Sequence, residues 1–337
     1  MTDPNSIRSQ TIGRRDFLKI VAAGGLAVGL GAAFSRRWLE AEPISNVQET
    51  RLLMGTVINL TVMTGDLKKG QAAVRATFAE MERLIKILDH RQQTSALGQL
   101  NAQGALREAP VELLEVVGKA LEIGKLTEGA FDITVKPVLD AYAAGRRITS
   151  ELRRLVDFRQ VSIVDNQVKL GQIGMAITLD GLAKGRVVDG GVAVLRQMGF
   201  ENILVEAGGD LAAQGNRCDG TPWEIGILSP RKDRQNGTIA TIPVESQAVA
   251  TSGDYMNSFS TDFSLHHILD PNSLISPAEM ASATVIAPTA MEADALSTAL
   301  MVLGKHNGLA LIARLSQVDA MLVGKDLKIY RSPGFPS

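Results

Sequence analysis

A single cysteine, Cys218, stands in 337 residues, which excludes an intramolecular disulfide and any metal site built from a cysteine cluster. Aromatic residues make up 4% of the chain, and 35 lysines and arginines nearly cancel 36 aspartates and glutamates, for a formal net charge of −1. Nucleic-acid binders carry a basic surface and often rings that stack on bases, so no nucleic-acid partner is expected here. No strand-like run leads into G-x-G-x-x-G, which argues against a Rossmann nucleotide site. Ser252 lacks the G-x-S-x-G setting of a serine hydrolase. None of the four histidines has a second histidine or cysteine at zinc spacing. Internal repeats and low-complexity stretches are also absent.

The first 41 residues read as an export leader. Arg14 and Arg15, followed by Asp16, Phe17, Leu18 and Lys19, precede an uncharged run from Ile20 to Phe34 rich in alanine and glycine. A basic front, a short apolar middle and small residues near a cleavage point define such a segment. The paired arginines resemble the twin-arginine type, whose translocon carries folded proteins. The run is short for a bilayer span, so a membrane tether is the lesser alternative. Cleavage fits after Ala41 or after Ala33. Cutting after Ala41 removes six basic and three acidic residues, taking the net charge from −1 to −1 − 3 = −4. The expectation is a periplasmic protein whose working domain is residues 42–337.

In that domain, Leu53 to Met63 reads as a strand rich in branched residues. Val74, Phe78, Met81, Ile85 and Leu88 follow helical spacing, giving an amphipathic helix from Gly70 to Asp89. Pro110 opens a second helix and Gly129 closes it. Val161 to Leu170 forms a hairpin around Asp165-Asn166. Gly181 to Gly199 is a helix, and Asn202 to Gly215 is strand, glycine turn, strand. Short strands follow at Trp223–Leu228, Ile239–Pro243, Ala248–Thr251 and Ala283–Ala287. A helix then begins near Thr289, and a hairpin from Asp319 to Tyr330 closes the chain. Strands in clusters with helices between them indicate an α+β fold with largely antiparallel sheets.

Several stretches carry chemistry. In "PTAMEADALSTALM" (Pro288 to Met301), Thr289 and Glu292 fit a capping box. Asp294 and Thr298 then share a face at i and i+4, with Ser297 beside them. A carboxylate with hydroxyls suits a hard cation such as Mg²⁺; a solvated acid and a packing threonine fit the same spacing. In "TLDGLAKGRVVD" (Thr178 to Asp189), a strand ends at Asp180 and a glycine turn opens a helix. N–H groups at such a start receive phosphate oxygens, and Lys184 adds a point charge, though an ordinary strand–helix turn reads alike. "EAGGDL" (Glu206 to Leu211) is a tight turn or a close approach to a ligand. In "AFDITVKP", Phe131 can flank a flat ring and Asp132 can bond it, or the two are a core residue and a turn residue. His266 and His267 precede "ILDP"; a histidine beside a phosphate and a metal can act as general base, or serve the fold.

Together "MGT", "FDITVKP", "DGLAKGRVVD", "EAGGDL", "ATSGDY", "HILDP" and "TVIAPTAMEADALSTALMVLG" resemble the ApbE family of FAD:protein FMN transferases, from about Met54 to about Gly304. The resemblance implies a two-lobed α+β protein with FAD in a cleft between the lobes and Mg²⁺ near the pyrophosphate. It implies transfer of FMN to a serine or threonine of an acceptor flavoprotein, with release of AMP. Metal ligands then fall on Asp294, Ser297, Thr298 and the carbonyl of Ala183. FAD contacts fall on Met54, Ala130, Phe131, Asp132, Asp180, Arg186 and Ile268, and the general base on His267. Some positions depart from the family pattern. His90 stands where a flavin-contacting tyrosine is usual, Ile133 replaces a proline, Lys136 a glycine, and Met256 an arginine. The "TG" after "DP" is missing, so that loop is expected to be reshaped. The leader is similar to that of the branch serving nitrous-oxide respiration, whose acceptor is membrane-bound. The same residues would serve a Mg²⁺-dependent FAD pyrophosphatase, and a non-catalytic periplasmic flavin carrier is a third reading.

Overall fold

A two-residue turn starts the fold. In the computed structural model, which describes residues 45–231 and 237–336, β1 (Ser45–Leu53) and β2 (Thr56–Thr64) pair antiparallel, with Leu53 opposite Thr56. The turn residues Met54 and Gly55 take φ of 52° and 72°, the positive values that a tight hairpin of this hand requires. The strand expected from Leu53 is therefore split, with its first residue closing β1, Met54 and Gly55 in the turn and the rest lying in β2. β1 escaped the sequence reading because its "NVQETR" is polar. It lies at the sheet edge, with Asn46, Gln48 and Thr50 exposed, where charged and polar side chains are usual. The expected leader lies outside the described residues.

The main sheet has eight strands in the order β1-β2-β6-β7-β10-β11-β12-β13. Its later members are β6 (Ile203–Ala207), β7 (Asp210–Gln214), β10 (Gln247–Gly253), β11 (Met280–Ala287), β12 (Asp319–Gly324) and β13 (Ile329–Arg331). Every neighbouring pair is antiparallel, as the α+β reading requires. β11 is buried along its whole length, which marks a strand covered on both faces. On one face Leu211, Val249, Ile286 and Met321 meet Trp223, Ile227, Ile242 and Val244. Those four belong to a separate ribbon, β8 (Trp223–Leu228) paired with β9 (Thr238–Val244).

Helices cover the other face. α1 (Leu67–Leu88) is capped by Asp66, whose side chain accepts from Lys69 N, and buries Val74, Phe78, Met81, Ile85 and Leu88, the stripe read from spacing. α2 (Ala96–Gln103) and α3 (Val111–Leu126) follow. α4 (Lys136–Ala143) and α5 (Ser150–Arg154) come next, and then a small sheet of β3 (Ala105–Leu106), β4 (Val161–Val164) and β5 (Gln167–Leu170). Asp165 and Asn166 turn the β4–β5 hairpin with φ of 46° and 58°, as the sequence indicated. α6 (Ala183–Gln197) and α7 (Ala290–Ile312) complete the layer. The described residues belong to one compact unit. The two expected lobes take the form of two large apolar clusters, one around α1, α6, β2 and β6 and one around α2, α3, α7 and β11, and Met54 packs against both.

Candidate active site

The site is built where α6 and α7 meet. A Cβ at Gly185 would collide with the backbone of Ala290 and Met291, so glycine alone lets the start of α7 approach α6 this closely. The Asp189 carboxylate then accepts from Ala290 N at 2.8 Å and Met291 N at 2.9 Å. Two N–H groups that a helix start leaves without partners are thereby satisfied across the interface. Thr289 adds the expected cap by accepting from Glu292 N at 3.3 Å. With both helices locked, Asp294 one turn into α7 points at α6, where its Oδ2 accepts from Gly185 N at 3.1 Å.

Three charges converge beside it. Lys184 Nζ lies 2.9 Å from Asp210 Oδ2 and 3.5 Å from Asp294 Oδ1, and both carboxylates are only 3% exposed. Asp210 reaches the cluster because Gly208 and Gly209, with φ of 63° and 102°, turn β6 back into β7. Burial would lower the Lys184 ammonium, but Asp210 and Asp294 overcome it and hold it above its usual value. Burial and then the Asp210 charge push the Asp294 carboxyl up, and Lys184 does not fully counter them. One ammonium neutralises one carboxylate, and the second keeps an excess of negative charge. Asp210 Oδ2 is buried and accepts no aligned hydrogen bond, its ion pair with Lys184 notwithstanding. This is an oxygen-rich, under-neutralised position, the kind that suits a hard cation.

Hydroxyls line the next turn. Ser252 Oγ on β10 is 2.8 Å from Ser297 Oγ and 3.1 Å from Thr298 Oγ1. Ser297 is fully buried and donates back to the Asp294 carbonyl at 2.9 Å. Its hydroxyl is thus engaged with its own helix and with Ser252. Thr298 lies one turn after Asp294 and is half-buried. Ala183 is the first residue of α6 and is buried beside Lys184.

His267 also stands here. Its Nδ1 is buried without a hydrogen-bond partner. Burial first, then the charges of His266 and Lys184, lower its pKa to about 4, so the imidazole is neutral and able to take a proton. The ring is half-buried overall although its Nδ1 is sealed. Asp180 also lies within range to act on it. Asp180 itself is gripped by Arg91 at 3.0 and 2.8 Å and by His90 Nε2 at 3.1 Å. Burial would raise the Asp180 carboxyl, but His90 and Arg91 outweigh it and hold it well below the usual carboxylate range. His90, standing where a tyrosine was expected, is therefore a hydrogen-bond partner of Asp180.

Other expected contacts divide. Phe131 is buried, and a Cβ on Gly181 would lie 3.0 Å from its ring and 3.2 Å from Thr298 Oγ1, so Phe131 borders the site. Met54 sits at the β1–β2 turn, and Ala130 and Ile268 are buried. The Asp132 side chain is a structural cap, not a free acceptor: its oxygens accept from Thr134 N at 2.8 Å, Thr134 Oγ1 at 2.5 Å and Phe158 N at 2.9 Å. Arg186 is likewise occupied, donating to Glu115 of α3 at 3.1 and 3.0 Å, away from the Lys184 cluster. Lys136 pairs with Asp140 and Ile133 is buried. Leu274, in the expected reshaped loop, takes φ of 62°. The bend that a glycine would make is kept there, and the leucine side chain is buried against Val138 and Leu269.

The sequence reading passed over Asp189, Asp210, Arg91 and Ser252. Asp210 had a signal, the acid directly after paired glycines. Ser252 is legible in the sequence only as a serine without the setting of a hydrolase nucleophile. Asp189 and Arg91 had none, because their partners lie about a hundred residues away.

Comparison with known proteins gives the family. A model of the ApbE family matches residues 54–322. An FAD:protein FMN transferase of Salmonella typhimurium is 28% identical, covering 95% of this chain and 96% of its own. One from Vibrio cholerae is 30% identical, with 87% and 93% covered. Among solved structures, the flavin transferase ApbE from Vibrio cholerae superposes with a TM-score of 0.76 at 28% identity, over 87% of this chain and 99% of its own. The apo flavinyl transferase ApbE from Pseudomonas stutzeri gives 0.76 at 27% identity, over 88% and 97%. With a matched segment that spans both helices of the site and all but the ends of the main sheet, the chain belongs to the ApbE family.

Proposed function

We propose that this protein transfers FMN from FAD to a serine or threonine hydroxyl of an acceptor flavoprotein, with release of AMP, and that it does so with Mg²⁺. The observation that carries the reading is the buried meeting of Asp294, Asp210 and Lys184, with a neutral imidazole near enough to feel the Lys184 charge. Asp294 and Thr298, with the Ala183 carbonyl that the family pattern adds, would hold the ion. When bound, Mg²⁺ supplies charge neutralisation at the FAD diphosphate and at the departing AMP oxygen.

The protein's own groups do the rest. The acceptor hydroxyl oxygen bonds to the phosphorus on the FMN side, and the bond from that phosphorus to the AMP oxygen breaks. The hydroxyl proton passes to His267, which its surroundings keep neutral. Phe131 and Met54 border the space for the flavin, and the Asp180–His90–Arg91 group closes its polar rim. The lysine ammonium would oppose the charge of the anionic link. We further propose that the leader exports the folded protein to the periplasm by the twin-arginine translocon, and that the acceptor is a membrane-bound redox protein.

Incubation of the purified protein with FAD, Mg²⁺ and a candidate acceptor, followed by mass spectrometry, tests the reading. An acceptor mass increased by one FMN supports it. Free FMN and AMP with an unmodified acceptor would mean hydrolysis, and bound FAD without turnover would mean a carrier.

A further inference from the structure

We propose that Lys184 is a resident counter-ion of the cation site: its ammonium, parked on Asp210, covers Asp294 until a divalent cation displaces it. This rests on the metal-site reading above. Nζ is 2.9 Å from Asp210 Oδ2, 3.5 Å from Asp294 Oδ1 and 3.5 Å from the Asp180 carbonyl. The tight contact is with Asp210, and the contact with Asp294 is at the edge of hydrogen-bond range. Asp210 Oδ2 also lacks an aligned donor, so the lysine is held there by charge.

The backbone makes the exchange local. Asp294 Oδ2 is fixed by Gly185 N, the residue after Lys184. Displacing the ammonium from Oδ1 thus requires neither α6 nor α7 to move. With both carboxylates ionised, the two acids and one ammonium sum to −1. A divalent ion brings the cluster to +1, with the lysine still tethered to Asp210 and its remaining donors turned outward. A positive cluster is matched to an anionic diphosphate, so cation and FAD each favour the other's binding. Without FAD, the lysine competes with the metal and keeps the site from loading alone. Asp210 is then a positioning residue, acting through Lys184.

Titration of the FAD-free protein with Mn²⁺, followed by the paramagnetic resonance of the free ion, tests this. Lys184→Gln is expected to bind Mn²⁺ at least tenfold more tightly than the native protein. Asp210→Asn frees the lysine to settle on Asp294, so it is expected to bind at least tenfold more weakly. Affinity in Lys184→Gln that is equal to or weaker than native overturns the proposal. Circular dichroism checks that each variant is folded. If Lys184→Gln is not, the charge-balanced double variant K184Q/D210N takes its place. It is expected to bind more tightly than Asp210→Asn alone, and equal or weaker binding overturns the proposal. Asp294→Asn separates the two levels of inference. If it abolishes Mn²⁺ binding while Lys184→Gln changes nothing, the metal site stands and the counter-ion role falls. If it binds like the native protein, both fall.

Discussion

Replacing His267 with glutamine separates the two parts assigned to it, a neutral base and a buried ring. The imidazole pKa falls from 6.5 to about 4 in the folded protein. A depressed pKa on a basic group means that the unfolded chain binds more protons than the native one between those values. Stability therefore rises with pH through this window and is lost on acidification. At 1.36 kcal/mol per unit, the shift corresponds to ~3 kcal/mol of stability, present near neutrality and lost as the pH falls towards about 4. Urea unfolding of native protein and His267→Gln at about pH 7 and about pH 4 reads this directly. The native protein should lose ~3 kcal/mol more than the variant over that interval. Equal acid sensitivity would refute the placement of a sealed, neutral imidazole. In catalysis the variant should keep FAD affinity and lose ~10²–10⁴-fold in transfer rate, the usual worth of a general base. Transfer at the native rate would remove His267 from the reaction.

Asp189→Ala leaves two helix-start N–H groups of α7 without partners, and at ~1–3 kcal/mol each the expected loss is ~2–6 kcal/mol in urea unfolding. Because α7 carries Asp294, metal affinity should fall in the same variant. Ser252→Ala removes the hydroxyl that links Ser297 to Thr298 and should weaken Mn²⁺ binding more than Asp132→Ala does, since Asp132 caps a turn; the reverse order in a titration would contradict the division made here. Leu274→Gly relieves ~1–2 kcal/mol of left-handed backbone strain but empties a buried leucine site worth ~2–5 kcal/mol. The expected outcome is a modest net destabilisation by thermal or urea unfolding, and a gain in stability would show that the leucine packing contributes little.

The fold was legible where periodicity or turn chemistry was strong. The α1 stripe, the Asp165-Asn166 hairpin and the turn before Asp210 follow from local rules that the tertiary structure did not override. β1 was not legible, because an edge strand with one wet face carries no apolar signature. Neither were α2, α4 and α5, short helices whose burial depends on distant elements. In the site, Asp294 and Thr298 were visible through their helical spacing. Ser297 was visible as well, although spacing places a hydroxyl on a face without saying that it turns back to the carbonyl of Asp294. The acids that decide the electrostatics come from separate segments. Asp210 and Lys184 are one case, Asp180 and Arg91 another. Only the assembled sheet and the α6–α7 contact bring them together.

Diffraction from crystals grown with FAD and Mn²⁺, using the anomalous signal of the metal, is the most direct test of the cation site. The expected result is a single strong peak within coordinating distance of an Asp294 oxygen, Thr298 Oγ1 and the Ala183 carbonyl, against the diphosphate of the bound dinucleotide. A peak elsewhere, or none, with FAD bound and Asp294 still held by Gly185 and Lys184, would contradict it.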